Sequence, residues 1–171
     1  MIQRVAVIGA GTMGHGIAAV AAMAGFQVAL ADNDPVACAA AMIRIGATLD
    51  KAIERGKLPA ADRAAVLGRV RAASDVTDAV QDAELVIEAI PERLDLKAAL
   101  FAQLERHAPA HAILATNTSS LSVTAIAEAV ADAGRVVGLH FFNPVPAMRL
   151  VEIVRGRGTS DDTIAAARAF A

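Results

Sequence analysis

The chain has 171 residues, of which 56% are hydrophobic and 20% charged, and its formal net charge is −2. This length fits one domain of ordinary size, and the composition is globular rather than disordered. A slightly acidic chain is not expected to bind nucleic acid, because phosphate backbones require clustered Lys and Arg. Cys38 is the only cysteine, which excludes an internal disulfide, and no Cys/His spacing typical of zinc occurs. We therefore expect no metal and a cytoplasmic location.

An apolar run at 16–31 is the one segment that resembles a membrane span. Gly25 and Gln27 interrupt it, and a transmembrane helix needs about 20 apolar residues. We predict instead a buried helix followed by a buried strand, with no membrane association.

Short strand-like runs alternate with longer helical runs along the whole chain. Continuous apolar strands separated by amphipathic helices are typical of a parallel sheet covered on both faces, so the pattern predicts a doubly wound α/β fold. We expect the final strand to run antiparallel at an edge of the mostly parallel sheet. The predicted strands are 3–8, 27–32, 70–73, 84–89, 112–116, 135–140 and 150–154, and the main helices are 12–25, 35–55, 92–107 and 122–131.

The segment 34–68 contains more helix than one crossover requires. A long helix, a break at 56–59 and a second helix predict a helical hairpin inserted after the second strand. Lys51, Arg55 and Lys57 cluster near its tip, with the acid Glu54 between them. Cations at a helix end offset the helix dipole, so this pattern alone favours a solvated helix end over a binding surface.

The stretch VAVIGAGTMG, residues 5–14, carries Gly9, Gly11 and Gly14 in GxGxxG spacing between a strand and a helix. These glycines permit a tight turn, close approach of a pyrophosphate and packing of the helix on the strand. Asp32 ends the next strand, where a carboxylate can bind a ribose diol and repel the extra phosphate of NADP. The alternative is a turn needed only for packing, with Asp32, or else Asn33 or Asp34, capping the next helix. Strand, glycines, helix and acid agree, which favours a Rossmann-type NAD site.

The stretch GLHFFNPVPAMRLVEIV, residues 138–154, keeps polar groups within an apolar segment. A strand ending at His140 and a strand through Glu152 could fold back about a centre near Pro146, which would place the two residues opposite each other. Opposed side chains on antiparallel strands have Cβ atoms about 5 Å apart, so the carboxylate could orient the imidazole as a general base. The alternative is a core histidine with no chemical role.

With NTSS at 117–120 added to these motifs, the chain closely resembles the L-3-hydroxyacyl-CoA dehydrogenase family over essentially its whole length. GAGTMG, VIEAIPE, NTSSLS and GLHFFNPVPAMRLVEIV occur in the family's order and spacing. The chain is most similar to bacterial enzymes that oxidise 3-hydroxybutyryl-CoA or act late in aromatic-acid degradation. The resemblance implies NAD as cofactor and an acyl-CoA thioester as substrate.

The resemblance also implies roles for individual residues. His140 would be the general base and Glu152 its partner, while Ser119 and Asn143 would contact substrate and the nicotinamide end of the cofactor; Ser and Asn also serve in caps and turns. Thr48 and Arg55 match the positions on the hairpin that hold CoA, which favours a phosphate contact at the basic tip and leaves Lys51 and Lys57 undecided. The other implied cofactor contacts are Gly9, Gly11, Thr12, Met13, Gly14, Asp32, Ala89, Glu92 and Lys97.

Family members normally continue into an all-helical domain of roughly 100 residues, which closes the cleft and forms a homodimer. We expect residues 1–171 to be the NAD-binding domain without that helical domain. Two functions therefore stay open: NAD-dependent oxidation of an L-3-hydroxyacyl-CoA to the 3-ketoacyl-CoA, and an NAD-binding module without turnover. The basic hairpin argues against a third, a related dehydrogenase of sugar acids that does not use CoA.

Overall fold

The computed structural model describes residues 2–171, which form one seven-stranded sheet of order β3-β2-β1-β4-β5-β6-β7. The first six strands are parallel to one another, and β7 pairs antiparallel with β6 at the edge. The predicted doubly wound, mostly parallel fold is confirmed. The strands are β1 (Arg4–Ile8), β2 (Gln27–Ala31), β3 (Val70–Ala72), β4 (Leu85–Glu88), β5 (Ile113–Thr116), β6 (Val136–Phe141) and β7 (Val151–Val154).

Seven α-helices and two short 3₁₀ segments, Ala60–Asp62 and Ala133–Arg135, occur in the described part of the chain, and all except the last helix lie between strands. The helix predicted over 122–131 was too long, because the α-helix ends at Ala127. After it, the N–H groups of Ala129 and Val130 bond to carbonyl groups three residues earlier, which form tighter turns. The helices are α1 (Thr12–Met23), α2 (Pro35–Glu54), α3 (Arg63–Leu67), α4 (Val76–Val80), α5 (Leu94–His107), α6 (Val123–Ala127) and α7 (Asp161–Phe170).

The inner strands of the sheet are buried on both faces, which explains why they are continuously apolar. In β1, Val5 and Val7 pack into a core shared with α1, α2 and α7, whereas Ala6 and Ile8 pack into a second core shared with α5 and α6. The second core centres on Phe101, which is fully buried. Burying a side chain of this size stabilises the fold by about 1.5–3 kcal/mol.

The predicted hairpin after β2 is present as α2, a turn and α3. Gly56 adopts a left-handed conformation with φ of +67°, and the Lys57 N–H donates to the Ala52 carbonyl at 2.8 Å. This pattern closes the C-terminus of α2 as a Schellman motif. Arg63 then binds Asp50 at 2.6 Å, so that α3 is fastened to α2 beyond the turn.

The carboxyl ends of the central strands lie along one edge of the sheet. Ile8 pairs with Glu88 and Glu88 with Thr116, while β6 extends further, to Phe141. In doubly wound sheets, ligands bind in the crevice outside these carboxyl ends. No helix in residues 2–171 is both long and apolar enough to cross a bilayer.

Candidate active site

The turn between β1 and α1 has the geometry that its glycines predict. Gly9 has a φ of +107°, and a Cβ there would lie 2.5 Å from the Ala89 carbonyl oxygen. A Cβ on Gly14 would lie 1.7 Å from the Gly9 carbonyl oxygen, so that α1 can approach β1 only without a side chain at this point. A Cβ on Gly11 would meet nothing within 4 Å. The turn is therefore packed at Gly9 and Gly14 and open at Gly11.

The N-terminus of α1 and the end of β2 together fit a dinucleotide. No side chain caps α1 at Gly11, and no acid lies in its first turn, so the free amides can receive an anion. Half-buried Asp32 accepts hydrogen bonds from the N–H groups of Ala10, at 2.7 Å, and Asp34, at 3.0 Å. Asp34, not Asp32, caps α2 by accepting from Val36. Asp32 is therefore held beside the glycine turn, as ribose recognition requires.

A pocket of about 320 Å³ lies where β4, β5 and β6 end. It brings together residues that are distant in sequence, and it includes six of the predicted site residues. Its lining consists of Met13, Ala89, Ile90, Glu92, Asn117, Ser119, His140, Phe141, Phe142 and Asn143.

His140 and Glu152 face each other directly across the β6–β7 pair, as predicted from their spacing about Pro146. The Nδ1 of His140 lies 2.8 Å from Glu152 Oε2. A carboxylate can only accept, so Nδ1 carries a proton, and in the neutral ring Nε2 therefore has a free lone pair. Phe142 packs beside the imidazole, with ring centroids 4.4 Å apart. The imidazole is therefore fixed in both tautomer and orientation.

Glu92 organises the loop that carries Ser119. One of its oxygens, Oε1, accepts from the Thr118 hydroxyl and from the N–H groups of Ser119, at 3.0 Å, and Ser120, at 3.3 Å. Its other oxygen, Oε2, lies 3.2 Å from the Lys97 ammonium. Partial burial opposes ionisation, but the bonds from Thr118, Lys97 and Ser119 outweigh it and lower the pKa of Glu92 to about 2. Glu92 is thus a carboxylate at neutral pH.

Lys97 differs from the other residues predicted near the nicotinamide, because it does not line the pocket. Its side chain is only 1% exposed, and its ammonium lies 2.6 Å from the equally buried carboxylate of Glu88. The ammonium therefore lies behind Glu92, between α5 and the end of β4.

A second groove, of about 350 Å³, separates the hairpin from the loop that follows β6. Thr48 and Arg55, the two predicted CoA positions, both line it, and so do Lys51 and Lys57, which the sequence left undecided. No acidic residue among the described part of the chain lines this groove, so its wall is electropositive. Asn143 lines both this groove and the pocket at His140, so the two adjoin at this residue.

Four residues with a place at the site were missed from the sequence. Asn117 accepts from the Phe141 N–H at 2.8 Å and ties the end of β5 to the strand that carries His140. Arg44 on α2 donates to the Ala10 carbonyl at 2.9 Å and so supports the glycine turn. His15 lines the basic groove and Glu88 pairs with Lys97. The charged residue inside the apolar strand LVIEA was the available signal for Glu88.

Comparison with known proteins agrees with this geometry. Residues 4–171 match the family model described as 3-hydroxyacyl-CoA dehydrogenase, NAD binding domain. The chain is 49% identical over 163 residues to the 3-hydroxyadipyl-CoA dehydrogenase of Escherichia coli K12, covering 95% of this chain and 34% of that protein. It is 43% identical over 162 residues to a probable 3-hydroxybutyryl-CoA dehydrogenase of Bacillus subtilis, covering 95% of this chain and 56% of that protein.

A solved structure shares the fold over almost all of this chain. The crystal structure of (S)-3-hydroxybutyryl-CoA dehydrogenase from Ralstonia eutropha superposes with a TM-score of 0.94 at 41% identity, covering 99% of this chain and 59% of that one. The chain thus spans between 34% and 59% of the length of these three relatives. The family model matches nearly every residue, and the site fits a dinucleotide at the glycine turn, the α1 N-terminus and Asp32. The chain therefore belongs to the NAD-binding domain family of the 3-hydroxyacyl-CoA dehydrogenases, and its cofactor is NAD.

Proposed function

We propose that this chain is the catalytic NAD-binding domain of an enzyme that oxidises an L-3-hydroxyacyl-CoA to the 3-ketoacyl-CoA. The observation that carries the proposal is the His140–Glu152 pair, whose imidazole lines the same pocket as Glu92, Ser119 and Asn143. Two of the relatives are named as dehydrogenases of 3-hydroxyadipyl-CoA and 3-hydroxybutyryl-CoA, and this supports the same substrate class.

In this proposal His140 is the general base. Its Nε2 takes the proton of the C3 hydroxyl, and Glu152 stabilises the imidazolium that forms, because it already accepts the Nδ1 proton at 2.8 Å. NAD, when bound, supplies a nicotinamide ring that accepts the hydride from C3. Ser119 and Asn143, which both line the pocket, hold the substrate oxygen and the nicotinamide end of the cofactor.

The cofactor contacts follow from the polar groups around the glycine turn. Gly11, Thr12 and Met13 offer backbone amides at the α1 N-terminus to the pyrophosphate. Asp32 accepts from the adenosine ribose, and Glu92 accepts from the nicotinamide ribose through Oε2, since its Oε1 is already engaged by the loop at 118–120. Ala89 lines the wall beside the ring.

The basic groove is the proposed site of the CoA phosphates. Thr48 and Arg55 contact them, and Lys51 and Lys57 add positive charge to the same wall. Phosphate groups suit such a site because charge-assisted hydrogen bonds are roughly twice as strong as neutral ones. Asn143 lines both sites, and in this proposal the acyl chain of a CoA anchored in the basic groove extends past Asn143 toward His140.

The test is NADH oxidation by this chain with acetoacetyl-CoA, measured beside NADH affinity. We expect His140→Gln to lose about 10²- to 10⁴-fold in rate, the usual contribution of a general base, while the NADH Kd changes little. His107→Gln is a matched control, because His107 is exposed at the end of α5 and lines neither groove. Near-normal turnover in His140→Gln would refute the role of the pair.

The second candidate is an NAD-binding module without turnover. The exposure of Glu152, whose side chain is 53% accessible, favours this module. Water beside the carboxylate weakens its electrostatic stabilisation of an imidazolium, compared with a closed site. NADH binding without any acetoacetyl-CoA reduction by the wild-type chain would support this candidate. The homodimer and the cytoplasmic location implied by the family resemblance stay predictions.

A further inference from the structure

One buried carboxylate beside the nicotinamide-side pocket has no part in the proposed reaction. Glu88 is the last residue of β4 and is 0% exposed. Its Oε1 accepts from the Lys97 ammonium, at 2.6 Å, and from the Ile90 N–H, at 2.8 Å, while its Oε2 accepts from the Thr116 hydroxyl at 2.7 Å. Both oxygens are therefore satisfied within the protein, directly behind the pocket wall.

Lys97 is the link between this carboxylate and the pocket. Its ammonium lies 2.6 Å from Glu88, 3.2 Å from Glu92 and 3.4 Å from the Ile90 carbonyl, which accounts for its three donors. Lys97 is therefore shared between two carboxylates, one buried behind the wall and one on the wall.

Stability alone is a weak reason for such an arrangement. Desolvating a buried ion pair costs about as much as the attraction returns, and well-packed apolar residues are often as stabilising or more so. A role in ligand binding would explain the buried Glu88–Lys97 pair better than stability does.

The charge of the three groups suggests that role. Two carboxylates and one ammonium sum to one net negative charge. If Glu88 were neutral, Lys97 would cancel Glu92 and this sum would be zero. Among the described residues that line the pocket, Glu92 and His140 are the only ionisable ones, so Glu92 dominates the charge on that wall.

We propose that Glu88 is a positioning residue that occupies Lys97, so that Glu92 keeps its negative charge toward the pocket and shifts the relative affinity of the site toward oxidised NAD⁺ and away from NADH. The proposal rests on NAD binding at this pocket, as proposed above. The oxidised nicotinamide ring is a cation and the reduced ring is neutral, so one negative charge on the wall stabilises only the oxidised form. Glu88 acts through Lys97 and Glu92 and does not touch the cofactor.

The experiment measures the ratio of the Kd for NADH to the Kd for NAD⁺ by calorimetry. In Glu88→Gln the net charge of the three groups becomes zero, and we expect the ratio to fall on the order of fivefold, the size of a unit-charge effect across a solvated pocket. In the double variant Glu88→Gln/Lys97→Met, Glu92 remains as the only charge, and the ratio should return to the wild-type value. A structural loss would instead weaken both affinities alike and would not be repaired in the double variant.

Glu84→Gln is the matched control. Glu84 directly precedes β4, pairs with Arg4 at 3.5 Å and lies at the opposite end of that strand, so the same substitution should leave the ratio unchanged. If Glu88→Gln does not fold, Glu92→Gln removes one negative charge from the set formed by Glu88, Lys97 and Glu92, at a more exposed position. It should lower the ratio of the NADH Kd to the NAD⁺ Kd by a similar factor.

An unchanged ratio in the neutralised variant overturns the inference and leaves the proposed function standing, because both cofactor forms would still bind. A wild-type chain that binds neither NAD⁺ nor NADH would refute the proposed function itself, and the inference with it. A fall in the ratio that the double variant does not reverse would also refute it, since the charge sum would then not be the cause.

Discussion

Replacing Gly14 by Ala should damage the fold, whereas replacing Gly11 by Ala should damage only cofactor binding. A Cβ on Gly14 would lie 1.7 Å from the Gly9 carbonyl oxygen and 2.8 Å from its carbon. Real Cβ atoms essentially never come within 3.0 Å of such a neighbour, so α1 would have to move by at least 3.0 − 1.7 = 1.3 Å. Both contacts are backbone atoms, which cannot rotate aside as a flexible side chain can.

The cost of that movement follows from what α1 buries. Ile17, Ala18, Ala21 and Ala22 are among its residues in the core against β1 and α2, and a shift of more than 1 Å would separate them from their neighbours. Overpacking of this kind costs about 1–3 kcal/mol or more. For a domain of this size each kcal/mol lowers Tm by about 2–4 °C, so Gly14→Ala should lower Tm by up to roughly 10 °C.

Gly11→Ala is the matched substitution. Its Cβ would meet no protein atom within 4 Å, and its φ of −69° is acceptable to alanine, so Tm should stay within about 2 °C of the wild type. The same methyl group would occupy the space through which a pyrophosphate approaches the α1 N-terminus, and the NADH Kd should rise on the order of tenfold or more. Thermal unfolding and NADH titration of both variants check this. A normal Tm for Gly14→Ala, or unaltered NADH affinity for Gly11→Ala, would refute the assignment of these roles.

Two further predictions concern the basic groove and Glu92. Arg55→Ala should raise the KM for acetoacetyl-CoA on the order of tenfold, because a charge-assisted contact is lost, and should change the KM for NADH little. The control Arg106→Ala changes an exposed residue outside the groove and should alter neither constant. Equal rises in both constants for Arg55→Ala would contradict its role in binding CoA. The pKa of Glu92 falls from 4.5 to about 2 on folding, so its carboxylate stabilises the fold fully above pH 4.5, and this contribution is lost as the pH falls from 4.5 toward 2. The difference in unfolding free energy between wild type and Glu92→Gln should therefore shrink across that window, and a constant difference would contradict it.

The features predicted correctly from the sequence depend on local spacing. Strand burial follows from continuous apolar runs, and the turn at Gly9 and Gly14 follows from three glycines whose neighbours are a strand and a helix. The pairing of His140 with Glu152 also needed only the symmetry of their positions about a Pro-containing loop, because antiparallel partners keep a constant sum of residue numbers. Each of these features lies within one stretch of adjacent residues.

The features that were missed depend on contacts between distant segments. The family resemblance implied that Lys97 contacts the cofactor, and its burial against Glu88 was not predicted, because that burial depends on the packing of α5 on β4 and β5. The basic groove likewise requires the loop at 143–147 to lie beside α2, some ninety residues earlier in the chain. Helix periodicity identified the cations at the hairpin tip, but it could not show which surface they would face.

The antiparallel strand β7 is what gives the imidazole of His140 on β6 its carboxylate partner. Parallel strands need a crossover of about a dozen residues or more, whereas only residues 142–150 connect β6 to β7, so the chain returns antiparallel. That return places Glu152 opposite His140, on the same face of the sheet. A slip of one residue in the pairing would turn Glu152 to the other face and leave the imidazole without its acceptor. The length of this loop therefore determines the tautomer of His140 as directly as the identity of either residue does.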